Sequence, residues 1–254
     1  MRHVLMYGAA LLIGMCGNAL AQHEINLFTE EYAPYNWRDK ASGEITGIST
    51  EIVLELMKRA RLAYAQPVSV PWARGLALTA NNANTCLFTA ARVPERESRY
   101  RWIGPIGRSA WVLFARKADH IVLHSVEDAR RYRIGTYLGD ASVTYFRERG
   151  IGIDETPSDR LNPVKLQKGR IDLWSVGRLP GLNLLQELGM DDMEAVLTFT
   201  ESDMYLACSI SMAQEDVVRL NTVLKAMYAD NTIKRIYSRF GYARETPTGE
   251  PLNK

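Results

Sequence analysis

The chain has 254 residues, of which 46% are hydrophobic and 24% charged, and a formal net charge of +2. That length and composition suit an ordinary globular protein of one or two domains. A charge so near balance argues against nucleic acid or an anionic membrane surface as partner, and no low-complexity tract or internal repeat is visible.

Residues 1–21 read as a secretory signal peptide. Arg2 gives a positive start, residues 4–15 form an apolar run too short to span a bilayer, and Ala19-Leu20-Ala21 is a small-x-small cleavage site before Gln22. Cys16 raises a lipoprotein alternative, which the bulky Met15 before it disfavours. No later apolar run is long enough to insert stably in a membrane. The mature chain keeps Cys86 and Cys208. Both sit in apolar, strand-like runs, which favours buried free thiols, although export to an oxidising compartment leaves pairing open. His120 and His124 flank an apolar Ile-Val-Leu run and read as loop and strand-end residues. No cysteine pair has ligand spacing, so neither a metal nor a cofactor is expected.

Residues 24–29 alternate as a first strand. The loop after it carries Tyr32, Tyr35 and Trp37, aromatics that either cap the core or wall a ligand. A polar turn over 39–47 leads to a helix, expected to be capped by Ser49 and to run to about Leu62, with Ile52, Val53, Leu56 and Ala60 on one face. Residues 66–70 form a second strand. Pro71 opens a short helix to about Ala80, placing Trp72 and Arg74 at a strand-to-helix junction, where α/β sheets bind ligands. Residues 85–92 are a third strand. Its end is small, Thr89-Ala90-Ala91, where backbone can face a cavity. Arg92, Arg96, Arg99 and Arg101 follow within ten residues, with Arg108 beyond. A guanidinium at a strand end suits a carboxylate, since its planar fork pairs bidentately; the competing reading is a solvated, salt-bridged face. Trp102-Ile103-Gly104-Pro105 is expected to stop the local structure.

Residues 106–114 read as a connection to a second unit. A short helix over 126–132 and a strand over 133–136 precede the loop 137–142, containing Tyr137, Asp140 and Ser142. This loop opens a helix ending at Gly150, whose free N–H groups can receive an anion. Asn162 as N-cap and Pro163 as first helical residue start another helix, followed by a strand over 170–174 and a helix over 180–188. Residues 204–209 form a strand. Val217, Val218, Leu220, Val223, Leu224 and Met227 share a face of a helix over 215–229. Another helix spans 231–240, and the polar tail after Gly241 is expected to be disordered.

The run Ala91-Arg92-Val93-Pro94-Glu95-Arg96, followed by an aromatic and Gly-Pro, resembles the signature of bacterial periplasmic solute-binding proteins of family 3, the polar-amino-acid type. The resemblance extends in order over nearly all of the mature chain. It implies an α/β, two-domain periplasmic-binding-protein-like (type II) fold with two hinge strands. Domain 1 would comprise 22–110 and 204–254, and domain 2 would comprise 111–203. A small carboxylate-bearing solute would lie between the domains and be captured by hinge closure. Arg96 would hold the carboxylate, without the helper hydroxyls that the family keeps where Ala91 and Val93 stand. Tyr32, Tyr35 and Trp72 would wall the ligand, Arg74 and the Thr89–Ala91 turn would assist, and Tyr137, Asp140 and Ser142 would close from the second domain. Lys-Leu-x-x-Gly-Arg-x-Asp resembles the family's link into a strand after which an aspartate holds the ligand ammonium. Gly177 stands there instead, so Glu30, Glu31 or Asp140 would have to substitute. The same topology makes the strands of Cys86 and Cys208 neighbours. Implied partners are the membrane subunits of an ABC transporter, for a monomeric periplasmic receptor that is not an enzyme. The alternatives are a module feeding a membrane sensor, or a dehydratase-like enzyme on the same scaffold.

Overall fold

The computed structural model describes residues 24–252; the expected signal peptide lies outside them. In chain order the elements are β1 (Asn26–Thr29), β2 (Trp37–Arg38), β3 (Ile45–Thr46), α1 (Ile48–Ala60), β4 (Val68–Ser69), α2 (Trp72–Asn81), β5 (Thr85–Ala91), β6 (Tyr100–Arg116), β7 (Ile134–Tyr137), α3 (Ala141–Arg147), β8 (Ile153–Thr156), α4 (Leu161–Gln167), β9 (Leu173–Gly177), α5 (Arg178–Leu188), β10 (Met193–Ser209), α6 (Gln214–Ala229) and α7 (Thr232–Arg239). Eight strands make one sheet in the order β4-β1-β5-β10-β6-β9-β7-β8, and β2-β3 form a separate hairpin.

Two strands of 17 residues, β6 and β10, run antiparallel through the whole molecule. The C-terminal part of β10 joins parallel β1, β4 and β5, while the C-terminal part of β6 joins parallel β7, β8 and β9. Each half therefore has its own parallel strands and shares the two long ones. The first half packs α1, α6 and α7 on its sheet through Ile52, Leu56, Leu220, Leu224 and Ile236. The second half is built on smaller clusters around Phe146 and Leu173, and around Phe114, Trp174 and Leu185.

Several expectations are corrected. Gly104-Pro105 does not end a strand; it lies inside β6. There β6 has β10 alone as strand neighbour, and an edge tolerates the missing proline N–H. Helix α1 is capped by Gly47 at φ +122°, and Ser49 is buried inside it with no partner for its hydroxyl. A Cβ at Gly47 would strike the Tyr35 carbonyl, so only glycine fits this entry. Asn162 and Pro163 sit within α4 rather than starting it, and Asn162 anchors Asp159 instead. The segment expected as a helix over 126–132 is a 3-10 turn, Glu127–Arg131. Cys86 and Cys208, adjacent across β5 and β10, form a disulfide rather than two free thiols. The tail is pinned to the long strands: Leu252 N–H donates to Asp203, and Arg108 donates to Asp203 and to the Glu250 carbonyl.

Candidate functional site

All the parallel strands point their carboxyl ends at the space between the two halves, the place where open α/β sheets present ligands. Glu30 follows β1, Pro71 and Trp72 follow β4, Ala91 ends β5, Tyr137 ends β7, Asp159 follows β8 and Gly177 ends β9. This common polarity gathers residues distant in sequence around two adjoining cavities. A small one, about 30 Å³, is lined by Glu30, Tyr32, Trp72, Thr89, Ala91, Arg96, Ser109, Trp111, Tyr137, Asp140, Ala141, Ser202 and Met204. A larger chamber of about 830 Å³ shares Glu30, Tyr32, Trp72 and Tyr137 and extends past Trp37, Asp159, Leu184, Phe240 and Tyr242.

Arg96 is the centre of the small cavity. The 3-10 turn Pro94–Arg99 after β5 carries it inward, leaving it 6% exposed. Its guanidinium lies 5.7 Å from the centre of the Trp72 ring and donates to the carbonyls of Ala91 (3.2 Å) and Gly139 (2.6 Å). Trp72 Nε1 donates to the same Gly139 carbonyl at 3.0 Å. Among the described residues no carboxylate forms an ion pair with Arg96, and burial lowers its pKa below the ordinary arginine value, opposed chiefly by Asp140. Its neighbour Arg92, by contrast, is neutralised by Glu97 at the surface. Thr89 holds φ +67° within β5, a conformation costly for a β-branched residue, and donates to Asn36 Oδ1 at 2.5 Å.

From the other half, Tyr137 is buried and its hydroxyl donates to Glu30 Oε1 at 3.0 Å. Burial pushes the Glu30 carboxyl well above the usual carboxylate range, against the Tyr137 hydrogen bond, and raises the Tyr32 and Tyr137 phenols. Asp159 accepts from Trp174 Nε1 and Asn162 Nδ2, both on Oδ1, and burial pushes it up to about 7.

The sequence-derived site residues separate into two groups. Tyr32, Trp72, Thr89, Ala91, Arg96, Tyr137 and Asp140 line the small cavity together. Tyr35 does not: it is 1% exposed in the core, its hydroxyl on the Arg108 carbonyl. Arg74 is exposed and lines neither cavity. Asp140 spends one carboxylate oxygen capping α3 through Ser142 N–H, and the Ser142 hydroxyl is buried beside Thr136 Oγ1 at 3.3 Å. Gly177 abuts the site from behind; a Cβ there would lie 2.3 Å from the Tyr32 hydroxyl and 2.7 Å from Ser109 Oγ. Tyr32 thus fills the space that a side chain at 177 would take. Sequence reasoning missed Ser109, Ser202 and Asp159. Only the position of Asp159, in a Pro-Ser-Asp turn after a strand, offered a signal. Among the described residues no group of three or more His, Cys, Asp or Glu side chains is placed to hold a metal ion.

The sequence pattern of the bacterial extracellular solute-binding proteins, family 3, matches residues 25–243. The chain belongs to that family. It is 23% identical over 215 residues to the L-cystine-binding protein TcyJ of Escherichia coli, covering 82% of this chain and 79% of the relative. Its fold is similar to that of a histidine kinase sensor domain resembling periplasmic binding proteins (TM-score 0.79, 18% identity, 86% of this chain and 96% of the other). It is also similar to a substrate-binding protein of an ABC uptake transporter from Streptococcus pneumoniae with bound histidine (TM-score 0.76, 14% identity, 89% and 94%). An ancestral arginine-binding protein bound to glutamine has the same architecture (TM-score 0.76, 16% identity, 86% and 98%). The expected mixed α/β fold of the two-domain binding proteins is therefore the fold of this chain. Members of the family are binding proteins, and the family is extracellular. Among the described residues no helix is long and apolar enough to cross a membrane.

Proposed function

We propose that this chain is a receptor that captures a small carboxylate-bearing, amino-acid-type solute between its two halves. The observation that supports this reading most is Arg96. A buried guanidinium with only carbonyl acceptors is costly to maintain, because its desolvation is not repaid by an opposite charge. A ligand carboxylate entering the small cavity supplies that charge through short, charge-assisted hydrogen bonds. The Gly139 carbonyl would give way to it, and Gly139 lies on the loop between β7 and α3, in the opposite half. Exchange of a carbonyl for a carboxylate thereby couples binding to movement of the halves. On this reading residues 22–110 with 204–254 form one domain, residues 111–203 the other, and β6 and β10 the hinge. The receptor would be a periplasmic monomer serving a transporter's membrane subunits, exported by the signal peptide.

A thermal-shift panel of amino acids, dicarboxylates, aromatic acids and amines tests the reading. Carboxylate-bearing compounds are expected to raise the melting temperature of the wild-type protein and not of Arg96→Ala. Stabilisation by amines alone, or equal shifts in the variant, would refute it. A compound consumed during the incubation would establish turnover instead of capture.

A further inference from the structure

The segment after α7 touches more than the half it belongs to. It begins beside the chamber, where the Tyr242 hydroxyl accepts from Asn183 Nδ2 at 3.1 Å. Asn183 lies on α5, in the second half, while Tyr242 packs against the core of the first. Leu179, one turn earlier on α5, packs against that same core. A 3-10 turn, Ala243–Glu245, then carries the chain away. Gly249 lies against the Tyr228 ring of α6, so close that a Cβ would fall 2.9 Å from it.

The far end of the segment reaches the long strands where they pass from one half to the other. Arg108 of β6 and Asp203 of β10 face each other in the ladder, one step from Ser109 and Ser202, which line the small cavity. Side chains alternate along a strand, so Arg108 and Asp203 stand on the face away from that cavity. The Asp203 carboxylate is 6% exposed and uses both oxygens. Its Oδ1 accepts from Arg108 Nε at 2.8 Å, and its Oδ2 accepts from the Leu252 N–H at 2.6 Å. Arg108 Nη2 donates in turn to the Glu250 carbonyl at 3.0 Å. Bonds to charged groups are the stronger kind of hydrogen bond. A tail that only covered the first half's core would need neither the Asn183 contact nor the one to Arg108 and Asp203.

We propose that residues 241–252 are a strap that biases the two halves toward the closed arrangement before any solute arrives. One end holds the second half through Tyr242 and Asn183. The other clips β6 and β10 together where a hinge motion has to bend or twist them. Opening breaks the first contact and strains the second. A closed arrangement favoured in advance lowers the cost of closing on a solute, so the strap raises affinity through contacts other than those at Arg96. The inference rests on the hinge motion of the reading above and not on the chemistry of the solute.

Thiol labelling tests it. Ala141→Cys places a reporter at a position 4% exposed in the small cavity. That cavity, about 30 Å³, excludes a neutral dipyridyl disulfide, so reaction requires the halves to part. Non-reducing buffer keeps Cys86 and Cys208 bonded to each other and unreactive. Tyr242→Phe and Asn183→Ala each delete the contact between strap and second half. Each is expected to speed labelling about three- to tenfold, as the loss of one net hydrogen bond implies. The two together should do no more than either alone. A chain stopped after Gly249, which removes the clip on Arg108 and Asp203, should speed labelling at least as much. Ala60→Cys, buried in the first half's core, is the control and should label at an unchanged rate. Circular dichroism melting shows whether each variant is folded. Labelling of Ala141→Cys unchanged in all the strap variants, or accelerated equally at Ala60→Cys, would overturn the strap and leave carboxylate capture at Arg96 standing. If the reporter in the otherwise wild-type chain reacts as fast as an exposed cysteine, the halves are not closed in solution, and the hinge motion falls with the strap.

Discussion

At one end of the space between the two halves, a buried guanidinium has two carbonyl oxygens for company. A few residues away, two carboxylates have a hydroxyl, an indole and an amide. Elsewhere the same chain matches opposite charges readily: Arg92 with Glu97, Arg133 with Asp172, Arg59 with Glu55 and Asp230, Arg108 with Asp203. Most of these pairs lie at the surface, where each contributes little, and even the buried Asp203 has Arg108, whereas the buried Arg96 has no carboxylate among the described residues. Arg96 and Glu30 even line one cavity without forming an ion pair. A buried guanidinium without a carboxylate is a poor device for stability and a good one for an anionic ligand, which supplies the counter-charge.

The comparison breaks most visibly at Arg96. Arg96→Ala is expected to weaken a carboxylate ligand at least 100-fold, about 3 kcal/mol, since a buried anion loses its partner. Arg96→Lys keeps the charge but loses the planar fork and much of the contact with Trp72, so an intermediate loss by calorimetry is expected. The acidic side is sharpened by pH. Asp159 holds its proton to about pH 7 when folded and to about 4 when unfolded. Between those values the folded state binds more protons, so stability falls as pH rises. Without ligand, the melting temperature should drop from pH 5 to pH 8, at a slope of up to about 1.4 kcal/mol per pH unit for a whole proton. Glu30, raised in the same direction, adds to that trend. Asp159→Asn should flatten the profile; a profile unchanged in that variant would mean the carboxylate is not buried in solution. The smallest effect belongs to Tyr137→Phe. It deletes one hydrogen bond to Glu30 across the two halves, and a loss of about 1–2 kcal/mol in denaturant melts is expected.

Much of this architecture is legible in the residues. The apolar run of β5, the strand-loop-helix opening and the amphipathic α6 carry their own periodicity, and the Pro-Glu-Arg turn after β5 announces Arg96. What is not legible depends on tertiary neighbours. Pro105 reads as a stop, yet it sits in a strand because that stretch of β6 is an edge on one side. The disulfide needs β5 and β10 to be adjacent, which no local pattern states. At the site, residue type gives chemistry but not direction. Trp72 and Arg74 both begin α2, but two residues along a helix are about 200° apart around its axis, so one turns inward and the other to solvent. Tyr35 has the right ring and belongs to the core. Asp159 is marked in the sequence only by its Pro-Ser-Asp turn; its place on the chamber wall, held by Trp174 and Asn162, is a property of the folded chain.

The most direct measurement is native mass spectrometry of the protein purified without denaturation, with the released small molecule identified and the Arg96→Ala variant run beside it. A bound compound carrying a carboxylate, present on the wild type and lost from the variant, is the expected result. A bound compound lacking a carboxylate, or equal occupancy of wild type and variant, would contradict the assignment of Arg96 as the ligand's anchor.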